Sequence, residues 1–319
     1  MTSSPCNNTV AVDGLVKAYG SLRALDGLSF SVARGEFFGI LGPNGAGKTT
    51  TMGILTGLIK PDAGSVSMAG IECSGNNGNI KKKLGLVPQE LAFYPTLSAV
   101  DNLSFFGQMY GLRGSLLKEH IKDVLQIVQL EDRKQEPVIH FSNGMKRRLN
   151  LAIGLLHKPE ILLLDEPTVG VDAQSRNAIL ESLQRLNMEG VTILYSTHYM
   201  EEAQRLCGNL AVFDHGRVIA RGSPHDLVQS LGEGLIRVKF LTPVQEGFLQ
   251  ELSSLNLTPL ISDEGMVVHI KLDSNNKESL IRLVFAGAET WKLNVLNLQV
   301  LEPNLESVFL NLTGRELRD

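Results

Sequence analysis

Gly42-Pro43-Asn44-Gly45-Ala46-Gly47-Lys48-Thr49-Thr50 is the stretch on which the reading of this chain turns. It contains a complete GxxxxGK[ST] run. A short apolar stretch, Phe37 to Leu41, precedes it, and a helical stretch, Thr49 to Gly57, follows and is closed by Gly57 and Pro61. The chemistry needs these residue types in this order. Glycines let successive backbone N–H groups curl inward onto phosphate oxygens, and the helix start adds the positive end of its dipole. Lys48 is expected to reach the β- and γ-phosphates of a nucleotide. The Thr49 hydroxyl is expected to coordinate Mg2+, with Thr50 beside it in the binding set. A glycine-rich turn without a ligand would need neither the strand before nor the helix after.

Working outward, Ile161-Leu162-Leu163-Leu164-Asp165-Glu166 is an apolar run ending in two carboxylates. A buried parallel strand delivers its carboxyl end to the ligand crevice of an open α/β sheet. Asp165 there is suited to hold Mg2+, and Glu166 to polarise an attacking water. Adjacent residues on a strand project to opposite faces, so both roles require the chain to bend at Glu166, which Pro167 permits. Alone, such a run reads equally well as the approach to a helix cap. Together with the phosphate loop it becomes a metal and base strand.

Around these motifs, strand-like and helix-like stretches alternate. Val10–Lys17, Leu25–Val32, Glu36–Leu41, Ser65–Met68, Leu84–Val87, Ile161–Leu164, Thr192–Ser196 and Leu210–Asp214 read as strands. Ser98 to about Leu130, Asn143–Leu156, Ala173–Leu186 and Met200–Leu206 read as helical. The pattern is α/β with a helical insertion at about residues 91–158. Past Gly222-Ser223-Pro224 no phosphate motif recurs, and the order becomes strand (Leu235–Leu241), helix (Val244–Leu255), hairpin (Thr258–Ile261 and Met266–Leu272, turning at Asp263–Gly265), helix (Lys277–Ala286), strand (Leu293–Leu301). That βαββαβ order predicts a small α+β, ferredoxin-like accessory domain, followed by a terminal helix over Asn304–Leu317. The expected division is 1–222 and 223–319.

The 319 residues suit about two domains. With 43% hydrophobic and 20% charged residues and a net charge of −4, there is no general basic field to attract nucleic acid. Of the basic clusters, Lys81-Lys82-Lys83 reads as a solvated loop or helix start. Met1 to Thr9 is polar and lacks the regions of a secretory signal, and no apolar run approaches the roughly 18 residues of a membrane span. Three scattered cysteines, Cys6, Cys73 and Cys207, have no metal-ligand spacing and read as inert thiols of a reducing compartment.

At this point the residues resemble the ATP-binding cassette (ABC) family of transporter ATPases, and the resemblance spans nearly the whole chain. It implies a P-loop NTPase core with a helical subdomain. Phe141-Ser142-Asn143-Gly144-Met145, followed by Lys146-Arg147-Arg148-Leu149, is similar to the family signature, usually written LSGGQ. Ser142 is expected to cap the next helix and, with the Gly144 N–H, to face a γ-phosphate. Asn143 replaces the usual glycine and is expected to keep a left-handed turn. Met145 replaces the usual glutamine and cannot make its hydrogen bond. In the family the signature of one subunit completes the nucleotide site of another, which implies a homodimer or heterodimer of cassettes binding ATP and Mg2+.

The resemblance also assigns Gln89 to Mg2+ and the attacking water, His198 to the γ-phosphate and to Glu166, Asp172 to a loop that communicates across the dimer, and Tyr19 to adenine stacking. A core tyrosine is the alternative for Tyr19. The other histidines, at 120, 140, 157, 215, 225 and 269, read as surface or packing residues. Leu91 to Leu97 resembles the cleft that receives a permease helix, whereas Phe105, Phe106 and Tyr110 read as subdomain core. Met145 and the ending Glu302–Leu317 resemble the branch that exports drugs, lipids or polysaccharides. The implied function is an ATP-hydrolysing subunit, cytoplasmic and peripheral to the membrane through a separate permease, with no nucleic acid partner. The rival is a soluble cassette acting on ribosomes or nucleic acid. Single-cassette length, the absence of sustained heptads and the mildly acidic balance count against that rival.

Overall fold

The opening alternation forms, in this computed structural model, two antiparallel strands, β1 (Asn8–Tyr19) and β2 (Leu22–Ala33). The structure describes residues 8–73, 78–255, 257, 259–272 and 277–314, so Cys6 lies outside the described residues. The chain divides into two units, Met1–Val218 and Ile219–Asp319, each described by itself.

In the first unit, β3 (Phe37–Leu41) runs into the glycine loop and α1 (Lys48–Leu55) leaves it. Then come β4 (Ala63–Met68), β5 (Ile71–Glu72), the single turn α2 (Gly78–Lys81) and β6 (Leu84–Val87). Lys81 closes α2 instead of opening a helix, and Lys81 and Lys82 are exposed. The helical stretch from Ser98 is two helices, α3 (Ala99–Met109) and α4 (Gly114–Ile127). Ser98 Oγ caps α3 by accepting from the Asp101 amide at 3.1 Å. Gly111, at φ +86°, supplies the left-handed backbone that ends it. α5 (Asn143–Leu155) packs against both.

β7 (Ile161–Asp165), α6 (Ala173–Met188), β8 (Thr192–Thr197), α7 (Met200–Leu206) and β9 (Asn209–Asp214) follow, and then β10 (Arg217–Gly222), within which the division between the units falls. The central sheet has the order β10-β9-β3-β8-β7-β6, and β9, β3, β8, β7 and β6 are parallel neighbours. Every residue of β3, β7 and β8 is buried, which is why their sequences are apolar runs and not alternations. Leu41 pairs with Thr197, and Asp165 with Ser196. The carboxyl ends of β3, β8 and β7 therefore finish level. A second sheet, β2-β1-β4-β5, shares its core with the first. Phe30 stacks on Phe38 at 5.5 Å, among Met52, Leu55, Leu163 and Phe213.

The second unit contains α8 (Pro224–Ser230), β11 (Gly234–Phe240), α9 (Glu246–Ser254), β12 (Leu260–Ser262), β13 (Val267–Leu272), α10 (Lys277–Thr290), β14 (Val295–Leu301) and α11 (Leu305–Thr313). From β11 to β14 the order is βαββαβ, and the sheet order β12-β13-β11-β14 with antiparallel pairs is the ferredoxin-like arrangement. Ile236, Val238 and Phe240 pack with Phe248, Leu252, Leu280 and Val284. Thr258 of the anticipated hairpin, and Arg315–Leu317 of the anticipated terminal helix, lie outside the described residues. α11 ends at Thr313, with Gly314 in the left-handed region at φ +68°.

The short β5, together with β10 and α8, was not read from the sequence. β10 is half-buried and lacks a clear period. α8 begins at the Gly222-Ser223-Pro224 boundary signal itself, where Ser223 Oγ accepts from the Asp226 amide at 3.0 Å and Pro224 fills the first turn.

Helix α5 touches strand β6 backbone to backbone. A Cβ on Gly85 would lie 2.3 Å from the Gly154 carbonyl oxygen, and one on Gly154 would lie 2.8 Å from Val87 Cγ2. Gly85→Ala is therefore expected to destabilise the first unit by about 1–3 kcal/mol, seen as a lower urea midpoint of the purified chain. An unchanged midpoint would show that α5 can shift off the sheet without loss.

Candidate nucleotide site

The glycine loop lies where β3 meets α1, and two of its glycines are required by close approach. A Cβ on Gly42 would sit 2.5 Å from the Phe213 carbonyl oxygen. One on Gly47, at φ +102°, would sit 2.8 Å from the Ala24 carbonyl oxygen. Asn44 and Gly45 are exposed, Pro43 and Gly47 half-buried, Gly42 and Ala46 buried. Lys48 opens α1 and is buried. Its Nζ donates to the Gly42 carbonyl at 2.7 Å and the Pro43 carbonyl at 3.1 Å, and it pairs with Glu166 Oε1 at 3.0 Å. The ammonium thus lies between the loop and the end of β7. Thr49 is exposed and Thr50 half-buried on the first turn of α1.

Glu166 follows β7 with φ at +47°, a left-handed backbone rare outside glycine. The bend anticipated at this position is present, and it turns the Glu166 carboxylate away from the alternation of the strand. The Glu166 amide donates to the Ser196 carbonyl at 3.1 Å. Oε1 lies 3.3 Å from His198 Nδ1, and Oε2 accepts from Gln89 Nε2 at 3.4 Å. Burial works to raise the Glu166 pKa, but the hydrogen bond and charge of Lys48, aided by His198, outweigh it and hold the carboxyl below its ordinary value. Asp165, one residue earlier, accepts from Ser196 Oγ at 2.5 Å and is buried. Three residues singled out in sequence, Lys48, Gln89 and His198, therefore converge on a fourth, Glu166, with Asp165 one residue before it at the end of β7.

A second group gathers at the starts of α5 and α6. Ser142 Oγ accepts from the Met145 amide at 3.2 Å and caps α5. Asn143 is the first residue of α5 and is not among the positive-φ residues. The expected left-handed turn is absent because the helix begins there and needs right-handed backbone. Gly144 is buried, and a Cβ on it would lie 2.3 Å from Ser175 Cβ and 3.3 Å from Asp172 Oδ2. Asp172 caps α6, accepting from the Ser175 amide at 2.9 Å. That bond and the Ser175 hydroxyl hold its carboxyl below the usual range. Tyr19 ends β1 with 48% of its surface exposed and Lys17 Nζ 5.6 Å from its ring centroid, so the core alternative for it does not apply.

Two positioning residues escaped the sequence reading. Arg147 donates to the Gln89 carbonyl. Asn150 donates to the Pro88 carbonyl at 3.0 Å and accepts from the Ala92 amide at 3.3 Å. Together they tie α5 to the segment carrying Gln89. A basic cluster on a helix gives no hint of which backbone it will meet.

The oxygen donors offered by Thr49, Gln89 and Asp165 suit Mg2+, a hard ion that keeps waters and shares phosphate oxygens. Among the described residues no group of three His, Cys, Asp or Glu side chains forms an all-protein metal cage.

Gly144→Ala should drive α5 and α6 apart and lower stability by about 1–3 kcal/mol. Asn143→Ala should fall within about 0.5 kcal/mol of the parent chain. Equal urea midpoints for the two variants would refute this distinction.

Comparisons with known proteins agree with the geometry. The family model described as ABC transporter matches residues 25–169. The linearmycin resistance ATP-binding protein of Bacillus subtilis is 43% identical over 307 residues, covering 96% of this chain and 99% of that protein. The Nod factor export ATP-binding protein I of Ralstonia nicotianae is 39% identical over 314 residues, covering 97% and 95%. Among solved structures, an ATP-binding subunit of an ABC transporter superposes with a TM-score of 0.63 at 29% identity, covering 70% of this chain and 92% of that one. A dimeric ATP-binding cassette in a post-hydrolysis state, bound to ADP and Pi, gives 0.62 at 26% identity, covering 67% and 98%. The chain belongs to the ATP-binding cassette family of transporter ATPases, as a subunit that binds ATP with Mg2+ and hydrolyses it.

Proposed function

We propose that two copies of this chain sandwich two ATP molecules, and that their hydrolysis drives export of a substrate through a separate transmembrane permease. The observation that carries the reading is the convergence on Glu166 of Lys48 at 3.0 Å, His198 at 3.3 Å and Gln89 at 3.4 Å. Glu166 takes the proton of the attacking water, and His198 and Gln89 hold water and carboxylate in line with the γ-phosphate. Lys48 and the loop amides from Asn44 to Thr50 grip the phosphates. Thr49, Gln89 and Asp165 hold Mg2+, which neutralises phosphate charge when bound. Tyr19 stacks on adenine, a contact worth about 1–3 kcal/mol. Most of the acceleration comes from positioning and charge neutralisation.

Ser142, Asn143 and Gly144 of one copy cover the nucleotide of the other, with Asp172 beside them. Both halves of a site, loop and signature, are carried by this one chain, so two copies suffice to complete two sites. Among the described residues no helix is long and apolar enough to cross a membrane; a permease on another chain and a cytoplasmic, peripheral place for this one follow from membership of the family. The names of the two relatives, linearmycin resistance and Nod factor export, support export. They lend nothing to a role on ribosomes or nucleic acid. The division near residue 222 separates an ATPase domain, with a helical subdomain at about 91–158, from an accessory domain that supports the dimer or regulates it.

Glu166→Gln is expected to keep ATP affinity, to lose turnover and to accumulate as an ATP-bound dimer on size exclusion. Continued hydrolysis would remove Glu166 from the role of base. Lys48→Ala is expected to weaken ATP binding at least tenfold, since it removes the charge gripping the phosphates (about 1.4 kcal/mol per factor of ten). Unchanged affinity in equilibrium binding would contradict the role given to Lys48.

A further inference from the structure

Glu202, on α7, is 3% exposed, and a buried carboxylate must be satisfied by its surroundings. Its Oε2 accepts three hydroxyl hydrogen bonds: from Tyr195 at 2.6 Å, from Thr168 at 3.1 Å and from Thr197 at 3.1 Å. All three donors are buried. Its other oxygen, Oε1, faces Arg176 Nε of α6 at 3.6 Å. One side chain thus joins α7, the end of β8, the turn after β7 and, through Arg176, the helix capped by Asp172.

The donors flank the two groups assigned to activation of water. Thr168 lies two residues after Glu166, in the turn where the Val169 amide donates to the Glu166 carbonyl at 3.3 Å. Thr197 immediately precedes His198. Its hydroxyl also accepts from the Tyr199 amide at 2.9 Å, so it brackets His198 from both sides. Thr197 can serve both partners only while its hydroxyl proton points at Glu202. On α6, the Arg176 guanidinium lies 4.7 Å from the Tyr199 ring centroid, which closes the ring of contacts around the histidine.

We propose that Glu202 is a positioning residue for hydrolysis: a single carboxylate oxygen sets the spacing between Glu166 and His198 by holding Thr168 and Thr197 at once. The inference rests on the roles given above to Glu166 and His198. It adds a residue that touches neither nucleotide nor water, and it gives α6 a route, through Arg176, to the same pair.

The test uses the purified full-length chain, comparing ATP turnover with the affinity for a fluorescent ATP analogue. In Glu202→Gln, turnover is expected to fall about 10- to 100-fold, the range a misplacement near 1 Å produces. Analogue affinity should stay within about twofold of the parent value. Glu202→Gln combined with His198→Ala should be no slower than His198→Ala alone, because both changes remove the same alignment. Thr197→Ser, which keeps the hydroxyl, should retain turnover, and Thr197→Val should lose it. Parent-like turnover in Glu202→Gln, or losses that multiply in the double variant, would overturn the proposal. If Glu202→Gln does not fold, the Thr197 pair decides: equal rates for Ser and Val would reject it. Glu166→Gln and His198→Ala are assayed alongside. Full activity in either one refutes the site reading itself, whereas loss in both with normal Glu202→Gln refutes only the role of Glu202.

Discussion

An ammonium and a carboxylate, Lys48 and Glu166, lie buried 3.0 Å apart, and the surrounding site is built to make that tolerable. Buried charges are stripped of water, and their attraction offsets the loss only where every remaining donor and acceptor finds a partner. Here the ammonium has two loop carbonyls, and the carboxylate has His198 and Gln89. The arrangement depends on three parallel strand ends finishing level, because each delivers one component. β3 brings the loop, β7 the acidic pair and β8, lying between them, the histidine. It also depends on Glu166 holding a left-handed backbone, a conformation of order 1–3 kcal/mol above the ordinary one that survives only where neighbours over-determine it. The Ser196 carbonyl and the turn through Thr168 supply that restraint.

Much of this was legible in the order of residues. An octapeptide with full spacing, a strand before it and a helix after it leave few alternatives. The conflict between neighbouring carboxylates and strand alternation pointed to a bend, and the bend is at Glu166. The continuous apolar runs of β3, β7 and β8 announced a buried parallel sheet. Other features were hidden because the sequence records residue types and not approach distances. Asn143 suggested a strained turn, yet the position is an ordinary helix start. Nothing in the sequence set Arg147 apart within the signature helix, or singled out Glu202, until the fold showed what each one meets. α8 was missed because serine followed by proline serves equally as a boundary and as a cap.

The second unit shows the same division between pattern and detail. Its alternating strands and paired helices led to the ferredoxin-like order, and the sheet has it. The cause is a single buried face. β11 alternates toward Phe248, Leu252, Leu280 and Val284, and a slip of one residue would expose the whole set. Register is thereby fixed by the core and not by any motif.

The close approach of Gly144 to Ser175 bears on how the signature may change over evolutionary time. Written as a string, the motif has two adjacent glycines of equal standing. In space, the first position faces outward at a helix start and accepts asparagine, while the second is wedged between two helices with no room for a methyl group. Drift is therefore open to one letter of the pair and closed to its neighbour. The two letters are equal in the string and unequal in the packing, and only the second one holds α5 against α6.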